Sequence, residues 1–397
     1  MVFNKRMLRM YSHQVPFFLT LINGFISICL GLNVFSEKAI ADWDMSTMNA
    51  QMMGQSSPAH VGVLSIRPWL DADKTLAAID IGGVVGTSDG IIAEMAPGHV
   101  SLMDPKKGHI LWTYLGEVPV SAPILLSRDI VFVAFADGSI VRLDRRTGSV
   151  NWKSNIPSLV TRGMTVSGGK LYFVTGAQEL GALDVQTGKQ EWVVDSAKSV
   201  GIQIRTGAAP LVDDGVVILG TNGGRLEGFD AKTGIRSFSS SLGSVEGRFS
   251  DIIANPLILG QLIIVARYDG LVAAFDRRNP DKAPLWKVRG APITEAKTFA
   301  GGLYMTTATG ELISMNPKDG TILWKTKVGD SLSVLELRET SVLVSGPAGI
   351  VAQLDRGTGD LQWKEFLDTK IIQLPIYFDD ALWFSTGLGN LYGYSIK

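Results

Sequence analysis

The stretch Leu143-Asp144-Arg145-Arg146-Thr147-Gly148-Ser149-Val150-Asn151-Trp152 recurs along the chain, and its recurrence sets the architecture. Asp184-Val-Gln-Thr-Gly188 leads to Trp192, and Asp355-Arg-Gly-Thr-Gly359 leads to Trp363. Looser copies run from Asp104 through Gly108 to Trp112, from Asn316 through Gly320 to Trp324, and from Asp230 through Gly234 to Phe238. A seventh begins at Asp276 and reaches Trp286 two residues late. The anchors step by 40, 40, 46, 46, 40 and 39 residues, and an eighth would fall at Ser395. Six residues before each anchor stands a glycine (Gly98, Gly138, Gly224, Gly270, Gly310, Gly349, Gly389), with Gln178 as the exception. A period near 40 residues marks an array of repeated structural units.

Each landmark has a physical reading. The glycine falls in a tight turn such as Asp137-Gly138 or Asp269-Gly270, where positive φ is needed. The run Ser139-Ile-Val-Arg-Leu143 then alternates as a half-buried strand does. The Asp opens the next turn by accepting backbone N–H bonds, and the Gly at +4 closes it. The Trp at +8 is expected between neighbouring sheets as a wedge, worth roughly 4–6 kcal/mol as an upper bound if fully buried. The second unit reads as strands over Ala122–Leu126, Ile130–Ala134, Ser139–Leu143 and Val150–Lys153.

The chain has 397 residues, 46% of them hydrophobic, 44 glycines and a formal charge of −1. That is ample for a large core, and the charge balance argues against nucleic acid as a partner. Residues 1–41 have the form of an export signal: Lys5, Arg6 and Arg9, an apolar run from Phe17 to Phe35, then Ala39-Ile40-Ala41. An uncleaved inner-membrane anchor is the alternative reading. The lone Cys29 follows Ile28, whereas a lipidation box needs a small residue there. Removal of the signal would leave no cysteine and hence no disulfide or thiol chemistry.

Residues 42–74 read as a tether and lead-in, and 75–397 as one all-β domain of four short strands per unit. Eight such units make an eight-bladed propeller with a central channel. The last unit ends just past its anchor, so it lacks a fourth strand. A strand from the N-terminal side, about Thr75 to Ile81, is expected to fill that edge and close the ring.

The run Leu-x-Asp-x-x-Thr-Gly-x-x-x-Trp resembles the repeat of the pyrroloquinoline-quinone-type propellers over roughly residues 75–397. That superfamily includes the quinoprotein dehydrogenases and the BamB family of outer-membrane barrel assembly. The dehydrogenases carry an adjacent cysteine pair and a calcium site. Here Cys29 is the only cysteine, and no histidine lies beyond His109. The expectation is therefore a protein that is not an enzyme and holds no cofactor or metal. The repeat aspartates, like Asp213-Asp214 and Asp379-Asp380, are read as turn-formers.

Both 46-residue steps flank the unit anchored at Asp230, which concentrates extra loop length on adjacent blades. These segments also resemble the BamB loops, Leu-x-Leu-Arg and Ser-Asp-x-Asp, that bind a POTRA domain of BamA. The resemblance places Ile202, Ile204 and Arg205 at the first loop, with Ile replacing Leu, and Glu246, Arg248 and Asp251 at the second. Ile253 stands where the family has its second Asp. The resemblance implies a periplasmic scaffold at the inner face of the outer membrane, with BamA, the other BAM subunits and nascent outer-membrane proteins as partners. The alternatives are a quinone-dependent dehydrogenase and a scaffold of another envelope complex.

Overall fold

The computed structural model describes residues 60–65, 84–104, 107, 109–196, 208–243, 251–252, 254–367, 376–378, 381–385 and 390–395. Contacts divide the chain into residues 1–42 and 43–397, and every described residue belongs to the second unit. The export-signal segment with Cys29, and the expected strand 75–81, lie outside the described residues.

The chain is an all-β propeller of four-stranded antiparallel blades. Seven blades, not eight, are built each from one continuous run of four strands, at 85–115, 125–155, 165–195, 211–241, 257–289, 293–327 and 334–366. The remaining four-stranded sheet is composite. Ile376–Phe378, Ala381–Ser385 and Asn390–Ser395 come from the C-terminal end, and His60–Ser65 pairs antiparallel with Asn390–Ser395. The strand that joins the two ends is thus His60–Ser65, upstream of the expected 75–81. Its sequence lacks the repeat landmarks because it supplies ladder hydrogen bonds and needs no turn of its own.

First strands pack against first strands of neighbouring blades, which puts them innermost; Val85–Thr87 also meets Ile376–Phe378 of the composite sheet. Fourth strands such as Val150–Asn155 lie outermost and are largely exposed. In the second blade the regular inner strand is Leu125–Ser127 rather than 122–126, because Val120 makes an isolated bridge to Phe135 before the chain bends inward. Ser139–Asp144, expected to be half-buried, is buried on both faces, as each blade is covered on both sides by its neighbours. Six apolar clusters form the core, and each straddles two adjacent blades. One joins Ile92, Leu102 and Trp112 to Val131, Val141 and Leu143, for example.

The recurrent motif builds those junctions. The Asp144 carboxylate accepts from the backbone N–H of Arg146 and Thr147 and from the Thr147 hydroxyl, at 2.9–3.0 Å. Asp184 and Asp230 repeat all three bonds. The turn so shaped ends on a glycine that lies against the tryptophan of the preceding blade. A Cβ on Gly188 would fall 2.6 Å from the Trp152 ring, and on Gly359 2.5 Å from Trp324. The indole N–H of Trp112, Trp152 and Trp286 donates to the carbonyl of Arg145, Val185 and Pro317, each the residue after the next anchor. Between the third and fourth blades Tyr172 takes that role: its hydroxyl donates to Ala231 O at 3.1 Å, and the Trp192 indole nitrogen has no hydrogen-bond partner among the described residues. The wedge expectation holds in position, but Trp152, Trp286, Trp324 and Trp363 stay partly exposed, so each contributes less than the full-burial figure.

Among the described residues, the glycines six positions before the anchors have a second reason beyond their positive φ. The first residue after the outer strand folds back to hydrogen-bond the glycine carbonyl: Gly116 to Gly98, Ile156 to Gly138, Leu242 to Gly224, Gly290 to Gly270. A Cβ on Gly270 would meet the Gly290 carbonyl oxygen at 2.1 Å.

Between the sixth and seventh blades, Lys297 Nζ donates to Glu336 Oε2 at 3.1 Å and lies 3.5 Å from Glu295 Oε1. The Leu335 N–H donates to Glu295 Oε2 at 2.7 Å. Glu295 is enclosed by protein, although 19% of its side chain still meets solvent, and burial pushes its carboxyl up to about 7 against the opposing pull of Lys297.

Gly188→Ala is expected to cost about 2–4 kcal/mol, from left-handed strain plus overpacking against Trp152, in urea unfolding. Gly168→Ala, with positive φ but open space around it, should cost only about 1–2 kcal/mol. The pH profile has two opposing limbs. Hydrogen bonds hold Asp144, Asp184, Asp230 and Asp355 below the usual carboxylate range, so their stabilisation is complete above about pH 4 and is lost as pH falls further. Glu295 acts oppositely, since its folded value exceeds its ordinary 4.5, and stability falls as pH rises from 4.5 to about 7. Unfolding free energy should peak near pH 5, and Glu295→Gln should remove the decline toward pH 7, on the order of 2 kcal/mol.

Candidate functional site

Antiparallel blades alternate their connections between two rims. Asp-x-x-Thr-Gly turns and the first hairpins share one rim; the glycine turns and the crossovers to the next blade share the other. An ordinary crossover runs over 156–164, between Val150–Asn155 and Thr165–Ser167. The crossovers 196–210 and 242–256 are each six residues longer, and they flank the blade 211–241 on the same rim.

Of the six residues assigned to a partner from sequence, Ile202, Ile204, Arg205, Glu246 and Arg248 lie outside the described residues. Asp251 is described, and it is buried, with 3% of its surface exposed. Its carbonyl accepts from the Tyr268 N–H at 3.0 Å, and its charge acts on Arg162. Its side chain thus faces the blade interior and makes the root of the second crossover.

The roots of the two crossovers are joined. Ala209 N–H donates to Asn255 Oδ1 at 2.7 Å, and Thr165 Oγ1 donates to the Pro210 carbonyl at 2.5 Å. Ile252 N–H donates to the Thr221 carbonyl at 3.2 Å. Gln178, the break in the glycine series, sits in the blade that leads into the first long crossover. It takes φ +65 without being glycine, and both the N–H and hydroxyl of Ser196 donate to its carbonyl. The break in the series therefore leaves the turn's backbone pattern unchanged, with the Ser196 hydroxyl as an added donor. Arg162, whose guanidinium reaches Gly220 beside these roots, carried no sequence signal, since Val160-Thr161-Arg162 looks like any crossover.

Among the described residues no group of three or more His, Cys, Asp or Glu side chains is placed to hold a metal ion. A cavity of about 160 Å³ between the fifth and sixth blades is lined mainly by Val272, Val288, Ile293, Met305, Ile313 and Met315. Asp213, read as a turn-former, also receives two hydrogen bonds from Arg277 of the next blade, at 2.6 and 2.7 Å.

Comparison with known proteins agrees with this picture. A family model described as outer membrane protein assembly factor BamB matches residues 96–298 and 269–394. The Yersinia pestis protein of that name is 22% identical over 95% of this chain and 98% of its own length. The Bordetella pertussis protein is 24% identical over 50% of this chain, and the match spans about half, 52%, of the relative. Among solved structures, BamB from Moraxella catarrhalis superposes with a TM-score of 0.71 at 20% identity, over 85% of this chain and all of that one. A quinohemoprotein alcohol dehydrogenase from Comamonas testosteroni shares the fold at 13% identity and a TM-score of 0.62, over 79% of this chain and 74% of its own. With matches to assembly factors and only distant likeness to dehydrogenases, the chain is a non-catalytic propeller and belongs to the outer membrane protein assembly factor BamB family.

Proposed function

We propose that the protein is a periplasmic scaffold of the outer-membrane barrel assembly machinery, held at the inner face of the outer membrane and exported by residues 1–41. The rim carrying the two lengthened crossovers docks on a POTRA domain of BamA, with Ile202, Ile204 and Arg205 from one and Glu246 and Arg248 from the other. Asp251 serves that surface from beneath. The ring reads as eight-bladed, the composite sheet taking the eighth place. Its role toward nascent barrel proteins is to help present them for insertion, without chemistry of its own.

The observation that supports this reading is the placement of both extra lengths on one rim, on either side of a single blade, with their roots hydrogen-bonded together. A pair of lengthened segments whose sequences set apolar residues next to arginine and carboxylate suits a protein–protein hot spot. Charge reversal at the centre of such a patch costs at least about 2 kcal/mol, or roughly 30-fold in affinity. Arg205→Glu should therefore remove co-purification with BamA from solubilised envelope while circular dichroism and melting temperature stay at wild-type values. Retained co-purification would remove the site assignment.

A further inference from the structure

Arg162 precedes the inner strand Thr165–Ser167 of the third blade and is 3% exposed. Its Nη1 donates to the Gly220 carbonyl at 2.8 Å, at the end of the strand Val216–Gly220 in the fourth blade. Gly220 in turn touches the fifth blade: a Cβ there would fall 2.3 Å from Ile252 Cγ2. The next charge along is Asp251, itself 3% exposed, whose carboxylate opposes the loss of solvation at Arg162. On its other side Arg162 is followed by Gly163, where a Cβ would fall 2.8 Å from the Ala209 Cβ at the end of the first long crossover. One guanidinium is thus set among three blades, at the base of both lengthened crossovers.

The arrangement is a costly one for folding alone. Arg162 Nη2 is buried with no hydrogen-bond partner among the described residues, and a buried donor left unmet loses its hydration for nothing. Burial also brings the guanidinium down to about 10. A neutral side chain of similar length would fill the same space without that penalty. What it would not do is hold Gly220 by a charge-assisted bond while drawing Asp251 toward the same point.

We propose that Arg162 is a positioning residue of the docking rim, fixing the roots of both long crossovers in one relative placement so that they meet a partner as a unit. The proposal deepens the reading of this rim as the BamA-binding surface and rests on it. It also assigns Asp251 to the fold's interior, as the counter-charge of Arg162, in place of a direct partner contact.

Two readouts separate this proposal from the reading beneath it. Amide hydrogen exchange of the free protein is followed at Ala209, Ile252 and Tyr268, and affinity is measured for the purified periplasmic domains of BamA. Arg162→Met should raise exchange at all three amides about tenfold, leave amides of the first, second and seventh blades unchanged, and weaken binding about tenfold. Asp251→Asn, nearly isosteric, should give the same pattern and covers the case in which the methionine variant folds poorly. Arg162→Lys, which keeps the charge and one donor, should recover most of both. Exchange raised at only one root, or at neither, would overturn the proposal, as would coupled exchange with unchanged binding. If wild-type protein does not bind BamA while exchange still rises at both roots, the docking reading fails and the linkage of the two crossovers stands.

Discussion

The fold depends on the seating of one blade's tryptophan on the glycine that closes the next blade's turn. The turn presents that glycine because an aspartate carboxylate holds two amides and a threonine hydroxyl, as at Asp184 with Gln186 and Thr187. The ring lies flat on the turn because the glycine has no Cβ to hold it off, as at Gly188 under Trp152. The indole N–H then donates to the carbonyl after the anchor, fixing the blades in rotation as well as distance. Each junction is local to two blades, so the array adds up nearest-neighbour contacts, as repeat folds do.

A ring made this way has a tolerant rim. The junctions occupy the blade faces and the anchor turns, and the crossovers at the opposite rim are held by a few backbone bonds outside the ladders, such as Ile156 N–H to Gly138 O and Thr161 N–H to Val174 O. Length can be added there without disturbing a ladder or a tryptophan seat. The two six-residue additions fall in this permissive place, on adjacent junctions. A propeller core built for rigidity thereby carries a surface free to specialise, which is how a fold shared with dehydrogenases at 13% identity serves an assembly factor.

Much of this was legible in the sequence because the junction is written in residues with few substitutes. Asp, Thr-Gly and Trp at fixed spacing have one geometric solution, and the spacing alone located the long crossovers. The closing strand was not legible. His60–Ser65 carries no turn motif, and a strand that only completes a ladder can be almost any short extended segment, so the apolar stretch 75–81 looked equally suitable. Burial was misjudged for Ser139–Asp144, read as an alternating run with one wet face although neighbouring blades cover both. Asp251 looked like a surface carboxylate because a one-residue spacing carries no record of depth. Its 3% exposure and the charge it sets near Arg162 show that it faces inward.

The central claim is that the rim of glycine turns and crossovers, and not the rim of Asp-x-x-Thr-Gly turns, meets the assembly machinery. Site-specific photocrosslinking in intact cells tests it directly, with the crosslinker placed at Ile204 or Glu246 on the first rim and at Lys189 or Lys232 on the second. The account predicts BamA adducts from the first pair and none from the second. Adducts from Lys189 or Lys232 with none from Ile204 or Glu246 would contradict it.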